Sequence, residues 1–229
     1  MSKSKQIAFL TLILVSSFFA KSENPRALLN QVQLKLNKVN NYKADIHIKV
    51  DLPYIMMMPI KTKLYFKQKD KFKIDTKSIA VIPKQGFLQI NKLLNDSVNY
   101  TAVIQSTELT DGNKISLLNL IPNNDTSDVI LAKLWIDATR QLIIKSQITT
   151  KSSGTIKTDY LYNKQVNYGL PDKLIFTVDI KKFKIPKAIA ADINTSTNTK
   201  TQKKSGEITI TFNNYEVNKG IPDTFFNKP

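Results

Sequence analysis

The chain has 229 residues, no cysteine, one histidine and a formal net charge of +16 from 34 basic and 18 acidic side chains. Without cysteine there are no disulfides, no thiolate chemistry and no lipobox site for a covalent lipid anchor. The charge is mostly lysine dispersed at alternate positions, and no nucleic-acid module accompanies it. Lysines spread in this way ordinarily make a solvated face and no more; where they do meet a counter-charge, an anionic phospholipid surface, touched transiently, is expected, and nucleic acid is not.

The chain opens with Lys3 and Lys5, followed by an uncharged run of 14 residues from Ile7 to Ala20 with small residues near its end. This is the layout of a secretory signal peptide. The run is shorter than the roughly 20 apolar residues of a membrane span. Cleavage after Ser22 puts Ala20 at the −3 position, whereas cleavage after Ala20 would put Phe18 there. The first cut removes three lysines and no acid, so the charge falls from +16 to +13. Residues 1–22 are read as the signal peptide and 23–229 as a single β domain, soluble in the periplasm and monomeric.

Asn24 and Pro25 start a helix as N-cap and first helical residue, with Leu28, Leu29, Val32, Leu36 and Val39 on one face and Asn40-Asn41 at its end. Strict alternation then predicts a strand from Ala44 to Leu52. Residues 61–76 read as a hairpin turning at 68–71. Phe87, Leu88, Ile90, Leu93 and Leu94 suggest a short amphipathic helix. Strands are expected at Tyr100–Ile104 and Lys114–Leu120, around the turn Asp111-Gly112-Asn113. A meander follows at 132–137, 142–149, 155–162 and 173–180. Residues 188–205 read as a flexible loop, and Glu207–Phe212 as the last strand. The pattern is mainly β with helices, in one strongly curved antiparallel sheet.

Little here points to catalysis. His47 lies on the wet face of its strand, and no Gly-x-Ser-x-Gly or glycine-rich phosphate loop is present. Asp45 and Asp51 face outward among lysines, where a metal or glycosidase pair would need to converge in a cleft. No enzyme, metal or cofactor is expected. The segment from Leu52 to Ile60 is unusual, because Tyr54, Ile55, Met56, Met57 and Met58 stand between two prolines where a polar turn is normal. It either meets a membrane or partner, or folds back into the core. The concave face of the sheet also needs a cover, for which residues 25–39 and 79–94 are available. They either plug it or act as a lid over an acyl-chain pocket, each buried methylene being worth about 0.8 kcal/mol.

Val39-Asn-Asn-Tyr42-Lys-Ala44 after the first helix, Leu134-Trp-Ile-Asp137, and the closing run from Gly206 to Asn218 with Ile221-Pro-Asp-Thr-Phe225 resemble the outer-membrane lipoprotein carrier and sorting proteins (LolA-like, with LolB-like relatives). The resemblance implies an incomplete antiparallel β-barrel under a helical lid that carries lipoprotein acyl chains or other lipids across the periplasm. It implies an inner-membrane lipoprotein-releasing transporter and an outer-membrane acceptor as partners. A non-catalytic envelope sensor or protein-interaction domain of the same fold is the alternative. The receptor of this family is usually itself a lipoprotein, which the missing cysteine argues against. The carriers hold their lid with a buried arginine, and neither Arg26 nor Arg140 matches it. By alternation, the cavity candidates are Ile48, Val50, Leu64, Phe66, Phe72, Ile74, Leu134, Ile136, Phe176, Val178, Ile210 and Phe212.

Overall fold

The structure, a computed structural model, describes residues 23–53, 57–68, 71–75, 90, 93–179 and 205–226. The expected signal peptide, most of the 79–94 segment and nearly all of the 188–205 loop lie outside these residues. The first helix, α1 (Pro25–Leu36), begins as its sequence predicts. The Asn24 side chain accepts from the N–H groups of Arg26 at 2.9 Å and Ala27 at 3.3 Å, and Pro25 occupies the first turn.

The helix ends earlier than Asn40-Asn41. Asn37 is the C-cap, and the N–H groups of Lys38 and Val39 donate to the carbonyls of Lys35 and Leu36. Asn218, far along the chain at φ 57°, completes this junction. Its side chain accepts from Asn40 N–H and donates to the Lys38 carbonyl, each at 2.7 Å. A clamp from the other end of the chain has no signature near residue 40.

Among the described residues ten strands follow: β1 (Asn41–Asp51), β2 (Ile60–Lys67), β3 (Lys71–Asp75), β4 (Tyr100–Thr110), β5 (Asn113–Pro122), β6 (Val129–Asp137), β7 (Leu142–Thr150), β8 (Gly154–Leu161), β9 (Lys173–Asp179) and β10 (Ser205–Val217). They form one antiparallel sheet in the order β3-β2-β1-β10-β9-β8-β7-β6-β5-β4, which is not closed. The last strand inserts between the first and the ninth, so β1 and β10 are hydrogen-bonded neighbours within the sheet. The architecture is mainly β, an incomplete barrel with α1 as its helical cover.

Two strands are longer than their apolar patterns. β4 runs on from Gln105 to Thr110, polar but for the exposed Leu109, because it is an edge strand with little of either face buried. Asp111 and Gly112, at φ 49° and 75°, form the two-residue turn into β5. β10 continues five residues past Phe212 through a bulge, in which Asn214 adopts φ 50° and the register jumps between Lys43/Glu216 and Asp45/Asn213. The Asn214 amide donates to Asp45 at 2.8 Å, which explains an outward carboxylate among lysines.

The buried face holds two adjoining clusters. The first joins β1, β2, β8, β9 and β10 through residues such as Ile48, Leu64, Phe176, Ile208 and Ile210. The second puts Leu28, Leu29 and Val32 of α1, with Ile90, Leu93 and Leu94, over Leu118, Leu134 and Ile136 of β5 and β6. Of the expected second helix, Ile90 and residues 93–95 are described, and they are helical. Among the described residues no helix is long and apolar enough to cross a membrane.

Candidate functional site

Where the two clusters meet, at the end of the sheet nearest the last turn of α1, they leave a cavity of about 320 Å³. Its walls come from the starts of β1, β7 and β9, the ends of β2 and β10, the β8–β9 connection and the last turn of α1. Phe66 of β2 and Ile143 of β7 both face it, although five strand spacings separate them, about 24 Å in a flat sheet. The sheet therefore curls around the cavity. The volume lies at the small end of the roughly 300–1,000 Å³ typical of small-molecule sites.

Among the described residues the lining is apolar with a polar trim and contains no aspartate, glutamate, lysine, arginine or histidine. One wall is an aromatic row. Phe66 stacks on Tyr42 at 5.2 Å between ring centroids, Tyr42 meets Tyr215 at 5.4 Å, and Tyr215 stacks on Phe212 at 5.7 Å. Such contacts add to simple burial and fix the rings. On the opposite side stand Leu142, Ile143, Tyr160 and Tyr162, and Val32 and Leu36 of α1 form the roof.

Three of the four tyrosine hydroxyls are engaged. Tyr162 donates to the Ile143 carbonyl at 2.8 Å, Tyr215 donates to the Pro171 carbonyl at 2.7 Å, and Tyr160 shares a hydrogen bond with Ser146 at 3.1 Å. Burial disfavours phenolate and raises all four phenols, Tyr160 to about 12. All four are neutral donors at physiological pH.

The rim is made of carboxamides. Gln33 of α1 donates to Asn95 at 3.0 Å, joining the helix to residues 93–95. Gln68, just after β2, donates to the carbonyls of Asn37 and Val39. The last turn of α1 is held from the other side by Lys35, whose ammonium donates to the Arg140 carbonyl in the β6–β7 turn. Partial burial, with Lys38 next in effect, lowers the Lys35 pKa. That turn is itself set by Asp137, fully buried, which accepts from Arg140 N–H at 2.8 Å and from its guanidinium at 2.7 Å. Arg140 is thus a half-exposed turn residue and Arg26 is exposed. Amide and lysine contacts hold the roof in place of a buried arginine.

No protein-family model and no curated sequence matches the chain. Solved structures do. A DUF1329 family protein from Desulfovibrio piger superposes with a TM-score of 0.57 at 11% identity, over 89% of this chain and 98% of its own. A domain named for outer-membrane lipoprotein sorting, from Vibrio parahaemolyticus, gives 0.56 at 10% identity, over 89% and 97%. A LolA superfamily protein from Nitrosomonas europaea gives 0.53 at 11% identity, over 90% and 99%. The fold is LolA-like. Sequence identity at this level carries the fold and no more.

Within this LolA-like fold, Phe66 and Phe212 of the twelve residues chosen by alternation line the cavity. Ile48, Val50, Leu64, Phe176, Val178 and Ile210 fill the first core cluster, and Phe72 and Ile74 pack against it half-buried. Leu134 and Ile136 lie in the second. Alternation assigns a residue to a face but says nothing of where along the strand the space lies. Of the methionine segment, Tyr54, Ile55 and Met56 lie outside the described residues. Met57 packs against the first cluster, while Met58 is 87% exposed. His47 stays on the outer face, half-buried. Among the described residues no three His, Asp or Glu side chains group closely enough to hold a metal ion.

Proposed function

We propose that this protein is a non-catalytic periplasmic carrier that takes an acyl chain of a lipid or lipoprotein into the cavity beneath α1. The observation that carries the reading is a cavity of about 320 Å³, uncharged in its described lining, at the seam of two closed cores on a LolA-like fold. An apolar chain entering it exchanges water for the aromatic wall, at about 0.8 kcal/mol per methylene. The last turn of the roof is held by hydrogen bonds from Gln68 and Lys35 at the cavity mouth, in addition to the packing of Leu28, Leu29 and Val32 in the second cluster.

The same reading places donor and acceptor at the two envelope membranes, an inner-membrane releasing transporter and an outer-membrane acceptor. The net charge, +13 once residues 1–22 are removed, favours a passing contact with anionic headgroups, and the exposed Met58 sits at the opposite end of the sheet from the cavity.

The test is native mass spectrometry on protein expressed as the full chain in an envelope-bearing host, paired with displacement of N-phenyl-1-naphthylamine. Wild type should carry host lipid or acylated protein. Leu36→Trp, which lowers the roof into the cavity, should carry none and should fold. Equal lipid loading of the two proteins would remove the cavity from the function.

A further inference from the structure

The carrier reading leaves open which part of a ligand the polar trim of the cavity meets. Tyr42 is 95% buried, since its relative exposure is 5%, and it lines the cavity. It differs from the other three tyrosines there. Tyr160, Tyr162 and Tyr215 each have a hydrogen-bond partner, but the Tyr42 hydroxyl has none among the described residues. Its ring is fixed between Phe66 and Tyr215, and its backbone is paired with Phe66 on one side and Val217 on the other. The fully buried side-chain polar atoms without a partner among the described residues are Asn119 Oδ1 and Thr158 Oγ1, so the unpaired Tyr42 hydroxyl is not sealed in the core but opens onto the cavity, where a ligand acceptor can reach it.

The charge pattern narrows that acceptor. None of the described lining residues is ionisable near neutral pH, so among them a carboxylate, phosphate or ammonium brought inside finds no counter-charge and pays its desolvation cost. The acceptor has to be neutral. It also has to lie next to an apolar segment, because Phe66, Leu174 and Phe212 flank Tyr42 in the lining.

We infer that the cavity selects a neutral acyl carbonyl, the ester or amide at the head of a fatty chain, and that Tyr42 is the specificity-determining residue that donates to it. This rests on the carrier reading and names its ligand class: acylated glycerol or acylated peptide, and not free fatty acid. The hydroxyls of Tyr160, Tyr162 and Tyr215 are engaged within the protein, so among the four tyrosines Tyr42 is the one whose donor can read a carbonyl.

The experiment compares ligands that differ at that carbonyl, by displacement of N-phenyl-1-naphthylamine from the full chain and from Tyr42→Phe. The ligands are 1-monopalmitoylglycerol, its carbonyl-free ether 1-hexadecylglycerol, palmitate and an N-palmitoyl dipeptide amide. Wild type should bind the ester about 3- to 10-fold more tightly than the ether, the range of one neutral hydrogen bond, and palmitate more weakly than either. Tyr42→Phe should bind ester and ether alike, with the ether unchanged. Whichever of the glycerol ester and the acyl dipeptide loses affinity in Tyr42→Phe identifies the source of the carbonyl. The thermal melt of Tyr42→Phe and the unchanged ether affinity together show that the cavity is intact.

An ester preference that survives in Tyr42→Phe, or palmitate binding as tightly as the ester, overturns this inference and leaves the carrier reading standing. If wild type binds none of the four ligands, both fall.

Discussion

At one end of the central strands Ile48, Phe176, Ile208 and Ile210 are at most 1% exposed, and at the other end Tyr42, Leu174 and Phe212 face a cavity. The same three strands, β1, β9 and β10, supply both sets. The closed end is filled by branched aliphatic side chains and one phenyl ring, which interlock across the registers Ile48/Ile210 and Ile208/Phe176. The open end carries large planar rings that hold each other apart. Its roof, α1, ends at Leu36 before it can cover them. Packing is complete where shape allows and incomplete where rigid rings meet a short helix. The difference lies in the side chains and the cover, because the backbone ladder is continuous through both ends.

Matched leucines test that contrast most strongly. Leu64 is fully buried in the first cluster and touches no cavity, so Leu64→Ala should cost about 3–5 kcal/mol in urea unfolding. Leu170 belongs to the same cluster but also lines the cavity, so one side of it already lacks partners. Leu170→Ala should cost about 2 kcal/mol, at the low end for such a change, and should enlarge the space available to probe. Equal costs would mean that the two ends are packed alike.

A second test concerns what holds the roof at the open end. Asp137 is fully buried, and both its oxygens are used by Arg140, whose carbonyl in turn anchors Lys35 of α1. Asp137→Ala leaves the Arg140 N–H without its acceptor and should cost about 1–3 kcal/mol. Arg140→Ala keeps that backbone cap but takes the counter-charge from a fully buried carboxylate, so it should cost at least as much as Asp137→Ala. A cost under about 1 kcal/mol by urea titration would mean that the backbone cap, and not the ion pair, holds the turn.

The sequence made the closed end far more legible than the open one. Period-two alternation found the inward residues of β1, β2, β6, β9 and β10, because one-sided burial writes itself into every second position. Tyr42 has the same parity as Ile46 and Ile48, and Tyr160 the same parity as Ile156, so both were within reach of that rule. Tyr215 was not. It has the opposite parity to Phe212 and turns inward only because the bulge at Asn214 inserts one residue, and a non-glycine at φ 50° leaves no reliable mark on composition. The length of α1 was overestimated for a related reason: Val39 continues the apolar spacing, yet it packs from the turn after the helix. The clamps by Asn218, Lys35 and Asp137 join residues that are remote or polar, and hydrophobic periodicity is blind to both.

The smallest expected effect belongs to the outer side of the same open end, where the chain's tail straps β2 and β3. Asp223 pairs with Lys67 at 2.8 Å and Lys71 at 2.9 Å, Lys67 also donates to the Ile221 carbonyl, and Phe225 lies against Tyr65. Hydrogen bonds from Lys67 and then Lys71 pull the Asp223 carboxyl from 3.8 down to about 2. A carboxyl depressed on folding stabilises the folded chain fully above its unfolded value, and this is lost as pH falls through the folded one. The strap should therefore be intact above pH 3.8 and released on approaching pH 2. The melting temperature of wild type minus that of Asp223→Asn should be small and positive at pH 5, and should shrink to nothing across that window. Because the group is exposed, 0.5 M salt should also shrink it, as screening weakens both lysine contacts. A difference that persists at pH 2 would mean that Asp223 acts through the shape of the tail and not through its charge.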